Sequence, residues 1–337
     1  MSVHDRSLPD FPWNTLAGAK QRAQQHPDGI VDLSVGTPVD PTPELGQRAL
    51  IEAANAPGYP TVWGTPELRA AIRGYLTKRW GGVELTDDSV LPVIGTKEFV
   101  AQLPFLLGLG EDDLVVIPEI AYPTYEVGAR LVETWVYPCD DPNRIVAENP
   151  ALVWINSPAN PHGSIMSPEQ LADWVRYCRE RGSVLAADEC YGEFGWTAEP
   201  VSILHPSVNG GSLEGLLALH ALSKRSNAAG YRAGFVAGDP DLVSDLREVR
   251  KHAGGMVPAP VQAAMTALLG DQQHVIEQRE RYLRRREALR PALEAAGFRI
   301  EHSEGSLYLW ATLDENCRDT VDRLAALGIL AAPGDFY

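Results

Sequence analysis

An α/β fold is what this sequence predicts: a mostly parallel central sheet with helices on both faces, and a smaller α+β domain beside it. Short apolar runs alternate along the chain with segments of helical period, the pattern of βαβ units. Polar residues follow several of these runs directly, where an open α/β sheet presents its ligand-binding rim. With 337 residues, the chain also exceeds the size at which a single hydrophobic core stops growing, so two packed domains are expected.

The elements can be justified in order. Residues 67–80 read as a helix carrying Leu68, Ala71, Ile72 and Tyr75 on one face. Residues 90–94 read as a strand, and Gly95-Thr96-Lys97-Glu98 opens the next helix. Residues 113–118 and 132–137 continue the strand pattern, with a loop over 119–125. The runs 151–155, 183–187 and 216–219 are apolar apart from Ser183, as suits strands buried on both faces. Residues 245–250 and the arginine-rich stretch 277–294 read as helices leading out of the sheet, the second as a solvated charged face with an apolar stripe. Residues 299–300 and 307–311 then read as strands of the smaller domain, which the N-terminal segment joins. The expected organisation is residues 1–35 as that packing segment, 36–245 as the large domain and 246–337 as the small one.

Composition narrows the function. The formal net charge of −16 excludes a basic nucleic-acid surface, because phosphate backbones require clustered cations. No run of about 18 apolar residues is present, so no membrane span is expected. Asp5, Arg6, Asp10 and two prolines near the start do not make the basic-then-apolar pattern of a secretion signal. Cys139, Cys178, Cys190 and Cys317 are scattered without metal-ligand or disulfide-framework spacing, which suits a reducing cytoplasm and predicts no metal site.

Chemistry concentrates on three segments. Ser223-Lys224 is followed eight residues later by Arg232. A lysine that forms a Schiff base must shed a proton near neutral pH, and a nearby cation pushes its pKa down. An arginine so placed also grips phosphate. A Ser-Lys pair alone carries little, since most lysines are solvated surface charges. Asp188-Glu189-Cys190-Tyr191 follows the 183–187 run, and Asn156-Ser157-Pro158-Ala159-Asn160-Pro161-His162-Gly163 follows the 151–155 run. Lys224, Asp188 and Asn160 would therefore converge on one rim of the sheet.

These three motifs, in this order, resemble the class I aminotransferases of the fold-type-I pyridoxal-phosphate enzymes. The resemblance runs from about Asp32 to the end of the chain. The stretch Leu8-Pro9-Asp10-Phe11-Pro12-Trp13, the run from Val31 to Pro41 and Arg250-Lys251-His252-Ala253-Gly254 are similar to the actinobacterial N-succinyldiaminopimelate aminotransferases. The resemblance implies pyridoxal 5′-phosphate held by Lys224 as a Schiff base, with Lys224 later moving the proton. It implies that Asp188 pairs with the pyridine nitrogen, while Tyr191 and Asn160 donate to the phenolic oxygen of the cofactor. Gly95, Thr96, Ser223 and Arg232 would hold the phosphate at a helix start. Lys97, beside them, reads either as a phosphate contact or as an exposed first-turn cation, a position the helix dipole disfavours. Tyr122 reads either as the residue stacking on the ring or as a core aromatic. Tyr59 matches a tyrosine that reaches the site of a neighbouring subunit, implying a homodimer with shared sites. Gly36 would offer its backbone N–H to the substrate carboxylate.

Three departures from the pattern stand out. Pro333-Gly334-Asp335-Phe336-Tyr337 closes the sequence where the family continues to a carboxylate-binding arginine, so a truncated small domain is the expectation. Ala221 replaces a phosphate-binding serine. His162 replaces a threonine and reads as a loop filler rather than an acid–base group. The resemblance implies a ping-pong transfer between glutamate/2-oxoglutarate and N-succinyl-L,L-diaminopimelate/N-succinyl-2-amino-6-ketopimelate in lysine biosynthesis. Arg225, Lys251 and His252 are candidate cations for these polyanions, although Arg250 and Lys251 also read as helix surface charges. The rivals are an aromatic or other amino-acid aminotransferase, a carbon–sulfur β-lyase, and the effector domain of a transcription regulator, which would need a basic winged-helix segment ahead of it.

Overall fold

The computed structural model describes residues 8–9, 11–81, 84–146 and 149–337. Asp5, Arg6 and Asp10, used above to read the N-terminus, lie outside the described residues. The strands in chain order are β1 (Val31–Asp32), β2 (Val90–Val93), β3 (Leu114–Ile117), β4 (Trp135–Pro138), β5 (Leu152–Asn156), β6 (Val184–Asp188), β7 (Leu216–Ala221), β8 (Gly234–Gly238), β9 (Arg299–Glu301), β10 (Trp310–Thr312) and β11 (Ile329–Leu330). Seven of them form the central sheet in the order β2-β8-β7-β6-β5-β3-β4. From β7 through β4 every pairing is parallel, and β8 alone runs antiparallel, between β7 and β2.

Strand β5 shows why the sheet is covered on both faces. Its successive side chains point to opposite sides, so Val153 and Ile155 enter one apolar cluster with Leu68, Ile72 and Trp174. Leu152 and Trp154 enter another with Phe99, Leu103 and Val115. Each such side chain contributes roughly 1.5–3 kcal/mol by leaving water. The covering helices start where the sequence supplies caps: the Thr65 hydroxyl accepts from the Leu68 N–H ahead of Pro66–Trp80, and Ser167 and Gln170 form a capping box for Pro168–Arg181.

Strand β8 escapes the apolar-run pattern because glycine stands at both of its ends. Gly238 is required there: a Cβ would meet the Leu216 carbonyl oxygen at 1.9 Å.

Beyond the sheet, helices Pro240–Ala253, Ala259–Gly270 and Gln273–Ala295 lead to a small antiparallel pair, β9 with β10. The second strand of this pair, β10, is shorter than the 307–311 expected. His302, Ser303 and Ser306 hold positive φ just before it, where regular pairing cannot run. The N-terminal segment joins this region: β1 pairs with β11 in parallel, and the Trp13 ring lies 5.1 Å from that of Phe336. No helix among the described residues is long and apolar enough to cross a membrane.

Candidate active site

A cavity of about 930 Å³ opens at the carboxyl ends of the sheet strands, between the sheet rim and the N-terminal segment. Strand β6 delivers Asp188 to its floor, where the carboxylate is buried. Asp188 accepts from the Tyr125 hydroxyl at 2.9 Å and from the Cys190 N–H at 3.1 Å. Burial raises its pKa, and the hydrogen bonds from Cys190 and Tyr125 offset part of that rise. No lysine, arginine or histidine among the described residues forms an ion pair with it. A buried carboxylate with only neutral donors is a seat for a cation supplied from outside the chain.

The asparagine loop after β5 is tied to the same floor. Asn156 Nδ2 donates to the Asp188 carbonyl at 2.8 Å, and Asn156 Oδ1 accepts from the Asn160 N–H at 2.7 Å. The first asparagine thus shapes the loop, leaving the Asn160 side chain on the cavity wall with its Oδ1 buried and unpartnered. An unpartnered buried polar atom in a cavity suits a bound polar group.

Lys224 and Ser223 lie on a short helical turn directly after β7, both facing the cavity. The Lys224 Nζ donates to the Gly36 carbonyl. Its pKa is lowered from 10.5 to about 8, chiefly by burial; Cys190 raises it and Arg232 lowers it further. Loss of hydration is thus a larger cause than the neighbouring cation Arg232.

Gly95 caps the Thr96–Leu106 helix without a side-chain cap, leaving first-turn N–H groups at the cavity. A Cβ on Gly95 would meet the Arg232 guanidinium at 2.3 Å, so glycine is what lets that cation sit over the helix start. The Thr96 hydroxyl accepts from the Cys190 thiol at 3.3 Å. Ala221 lines the same end of the cavity with no donor to offer. N–H groups, a hydroxyl and a guanidinium at one end, with a buried carboxylate at the other, fit the phosphate and the protonated ring nitrogen of pyridoxal phosphate.

Other expected residues divide. Tyr122 lines the cavity, half-buried, its ring edge-on to Tyr125. Lys97 is exposed in the first turn of its helix and also lines the cavity, its Nζ over the rings of Phe11 and Tyr122, 5.5 and 5.7 Å from their centroids. Tyr59 stands on the surface, 98% exposed, and does not line this cavity. His162 also lies outside it; burial lowers its pKa to about 4, next to His302. Arg225, a candidate substrate cation, instead points into the core at 2% exposure and pairs with Glu193. Arg250 is equally buried and pairs with Glu98, while Lys251 pairs with Glu248 at the surface.

Two residues escaped sequence reasoning. Tyr125 closes the loop expected over 119–125 but stands in the first turn of the helix Thr124–Leu131, and no local motif gave it a role. Tyr308 comes from the segment between β9 and β10, its hydroxyl 2.8 Å from that of Tyr191. No local motif marks it.

Residues 28–336 match the family model for aminotransferase class I and II. A probable aminotransferase of Mycobacterium tuberculosis is 58% identical over 98% of this chain and 79% of its own length. The 4-dedimethylamino-4-oxo-anhydrotetracycline transaminase OxyQ of Streptomyces rimosus is 54% identical over 98% of this chain and 92% of its own. A crystal structure of an aminotransferase from Neisseria meningitidis superimposes with a TM-score of 0.88, at 29% identity, over 100% of this chain and 90% of that one. The rim residues and these similarities agree: the chain belongs to the class I and II aminotransferases, a pyridoxal-phosphate-dependent family.

Proposed function

We propose that the protein transfers an amino group between glutamate/2-oxoglutarate and N-succinyl-L,L-diaminopimelate/N-succinyl-2-amino-6-ketopimelate, working as a homodimer. Bound pyridoxal phosphate supplies the electron sink for the carbanion that forms at the substrate Cα. Lys224 is the group that holds and moves the proton; with a pKa of about 8, roughly a tenth of it is neutral at pH 7. Asp188 supplies the negative charge opposite the ring nitrogen, Tyr191 and Asn160 donate to the phenolic oxygen, and Gly95, Thr96, Ser223 and Arg232 hold the phosphate.

The observation that carries the substrate class is Lys97. Its ammonium lines the cavity, burial and Arg232 lower its pKa, and no carboxylate among the described residues pairs with it. An unpaired cation of this kind is satisfied by an anionic group at the far end of a substrate, as both glutamate and a succinylated keto-pimelate provide. The test is amino transfer from glutamate to the succinylated keto acid, followed for the parent and for Lys97→Met. The expected outcome is turnover by the parent and a KM for glutamate raised about tenfold in the variant, with alanine little affected. Failure of the parent to use the succinylated acceptor while using other keto acids would overturn the substrate assignment.

A second reading rests on the cavity wall. Phe11, Trp13, Tyr122, Tyr308 and Tyr337 line it, and aromatic faces favour a planar, ring-bearing substrate. Faster transfer to aromatic keto acids than to dicarboxylic ones would select this reading.

A further inference from the structure

Tyr191 has a single hydroxyl proton and two possible uses for it. Its oxygen lies 2.8 Å from the Tyr308 oxygen, and both tyrosines line the cavity. Their rings meet edge-on with centroids 5.7 Å apart. Tyr308 is held in place from its other side: a Cβ on Gly36 would meet the Tyr308 oxygen at 2.3 Å, so the Gly36 backbone forms the wall behind that hydroxyl. Gly36 is also the residue whose carbonyl accepts from Lys224. A residue from the segment between β9 and β10 thus touches two groups of the sheet-rim site, one on each side.

We propose that Tyr308 is a positioning residue that turns the Tyr191 proton toward the bound cofactor. The inference rests on the reading of Tyr191 as a donor to the phenolic oxygen. In a pair of hydroxyls each can donate or accept, and only one proton can lie between the two oxygens. An oxyanion in the cavity competes with the neutral Tyr308 oxygen for the Tyr191 proton. The charge-assisted bond is about twice as strong, so it wins. Tyr191 then keeps an unused lone pair, and Tyr308 has a free proton to fill it. The order of donation becomes Tyr308 to Tyr191 to the cofactor oxygen. A donor that itself accepts a hydrogen bond is polarised and donates more strongly, by roughly 10–30% per bond. Tyr308 therefore stabilises the deprotonated form of the bound cofactor without touching it. It does so only while the segment that carries Tyr308 is seated against the sheet rim, because among the described residues Tyr308 is the hydrogen-bond partner of the Tyr191 hydroxyl.

The experiment is a pH titration of the visible absorption of the cofactor-loaded protein, for the parent, Tyr191→Phe, Tyr308→Phe and the double variant. Removing the Tyr308 hydroxyl should raise the midpoint by about half a pH unit. Tyr191→Phe should raise it further, and the double variant should match Tyr191→Phe, because Tyr308 acts through Tyr191. Phe at position 308 keeps the ring and its edge contact, and a thermal midpoint for the cofactor-free variant within about 2 °C of the parent separates the effect from misfolding. An unchanged midpoint in Tyr308→Phe, with Tyr191→Phe shifted, overturns the role of Tyr308 and leaves the reading of Tyr191 standing. An unchanged midpoint in Tyr191→Phe overturns that reading and the proposal with it. Additive shifts in the double variant overturn the proposed route through Tyr191.

Discussion

The Tyr125 hydroxyl donates to Asp188 at 2.9 Å, from a ring stacked on Trp154 with centroids 5.0 Å apart. Burial works against an ionised carboxylate at this position, and the hydrogen bond from Tyr125 opposes it together with those from Cys190. A hydrogen bond to a charged group is worth about 1.5–3 kcal/mol. Tyr125→Phe keeps the stack and removes that bond, so cofactor affinity should fall on the order of tenfold, and Asp188→Ala should lower it further. Titration of the cofactor-free protein with pyridoxal phosphate, followed by tryptophan fluorescence, measures both. Equal affinity in Tyr125→Phe and the parent would show that Asp188 does not need this donor.

How much of this was legible in the sequence depends on how local each feature is. Asp188, Asn160 and Lys224 were legible because each follows its own apolar run, and a strand end fixes which rim a residue reaches. Arg225 was misread because adjacency says nothing about direction. Successive residues on a helical turn point about 100° apart, which sends Lys224 into the cavity and Arg225 into the core. The exposed first-turn position of Lys97 was legible from the helix start, whereas the Phe11 and Tyr122 faces beside its ammonium were not, because only tertiary packing brings them there. Tyr308 was invisible, since its partner Tyr191 lies 117 residues away and only tertiary packing joins them.

Lys224 should make the cofactor-free protein respond to pH. Its pKa falls from 10.5 in the unfolded chain to about 8 in the fold, chiefly through burial. Between those values the unfolded chain binds more protons, so stability rises with pH across this window, and the burden of the buried charge is greatest below pH 8. Lys224→Met removes the charge and loses one hydrogen bond to Gly36. At pH 7 the variant should be the more stable by on the order of 1–2 kcal/mol, and the advantage should shrink toward pH 10.5. Thermal denaturation of both forms at several pH values checks this, and a difference that does not vary with pH would contradict it.

Gly36 and Tyr308 should behave as one unit. In Gly36→Ala the new Cβ would sit 2.3 Å from the Tyr308 oxygen and 2.7 Å from two ring carbons. The ring must move, and its contact with Tyr191 moves with it. Activity should fall at least tenfold. Tyr308→Ala empties the space, so adding Gly36→Ala to it should cost little. A coupling of about 1–3 kcal/mol in the double-mutant cycle is expected, and additive effects on kcat/KM would rule the contact out as the cause.

Two glutamates on the same arginine separate buried from exposed charge. Arg79 pairs with Glu193 at 3.2 Å and with Glu199 at 2.9 Å, so distance alone favours Glu199. Glu199 is 72% exposed, however, and a solvated pair is worth under about 1 kcal/mol. Glu193 is buried and also accepts from the Tyr75 hydroxyl at 3.0 Å and from Arg225 at 3.3 Å. Removing it leaves the buried Arg225 guanidinium with no carboxylate, which costs about 3–5 kcal/mol. Glu193→Ala should therefore lower the thermal midpoint markedly, while Glu199→Ala leaves it within about 1 °C. Added salt should not narrow the gap, because a buried pair is poorly screened. Comparable losses in the two variants would mean that Arg225 finds hydration or another partner once Glu193 is gone.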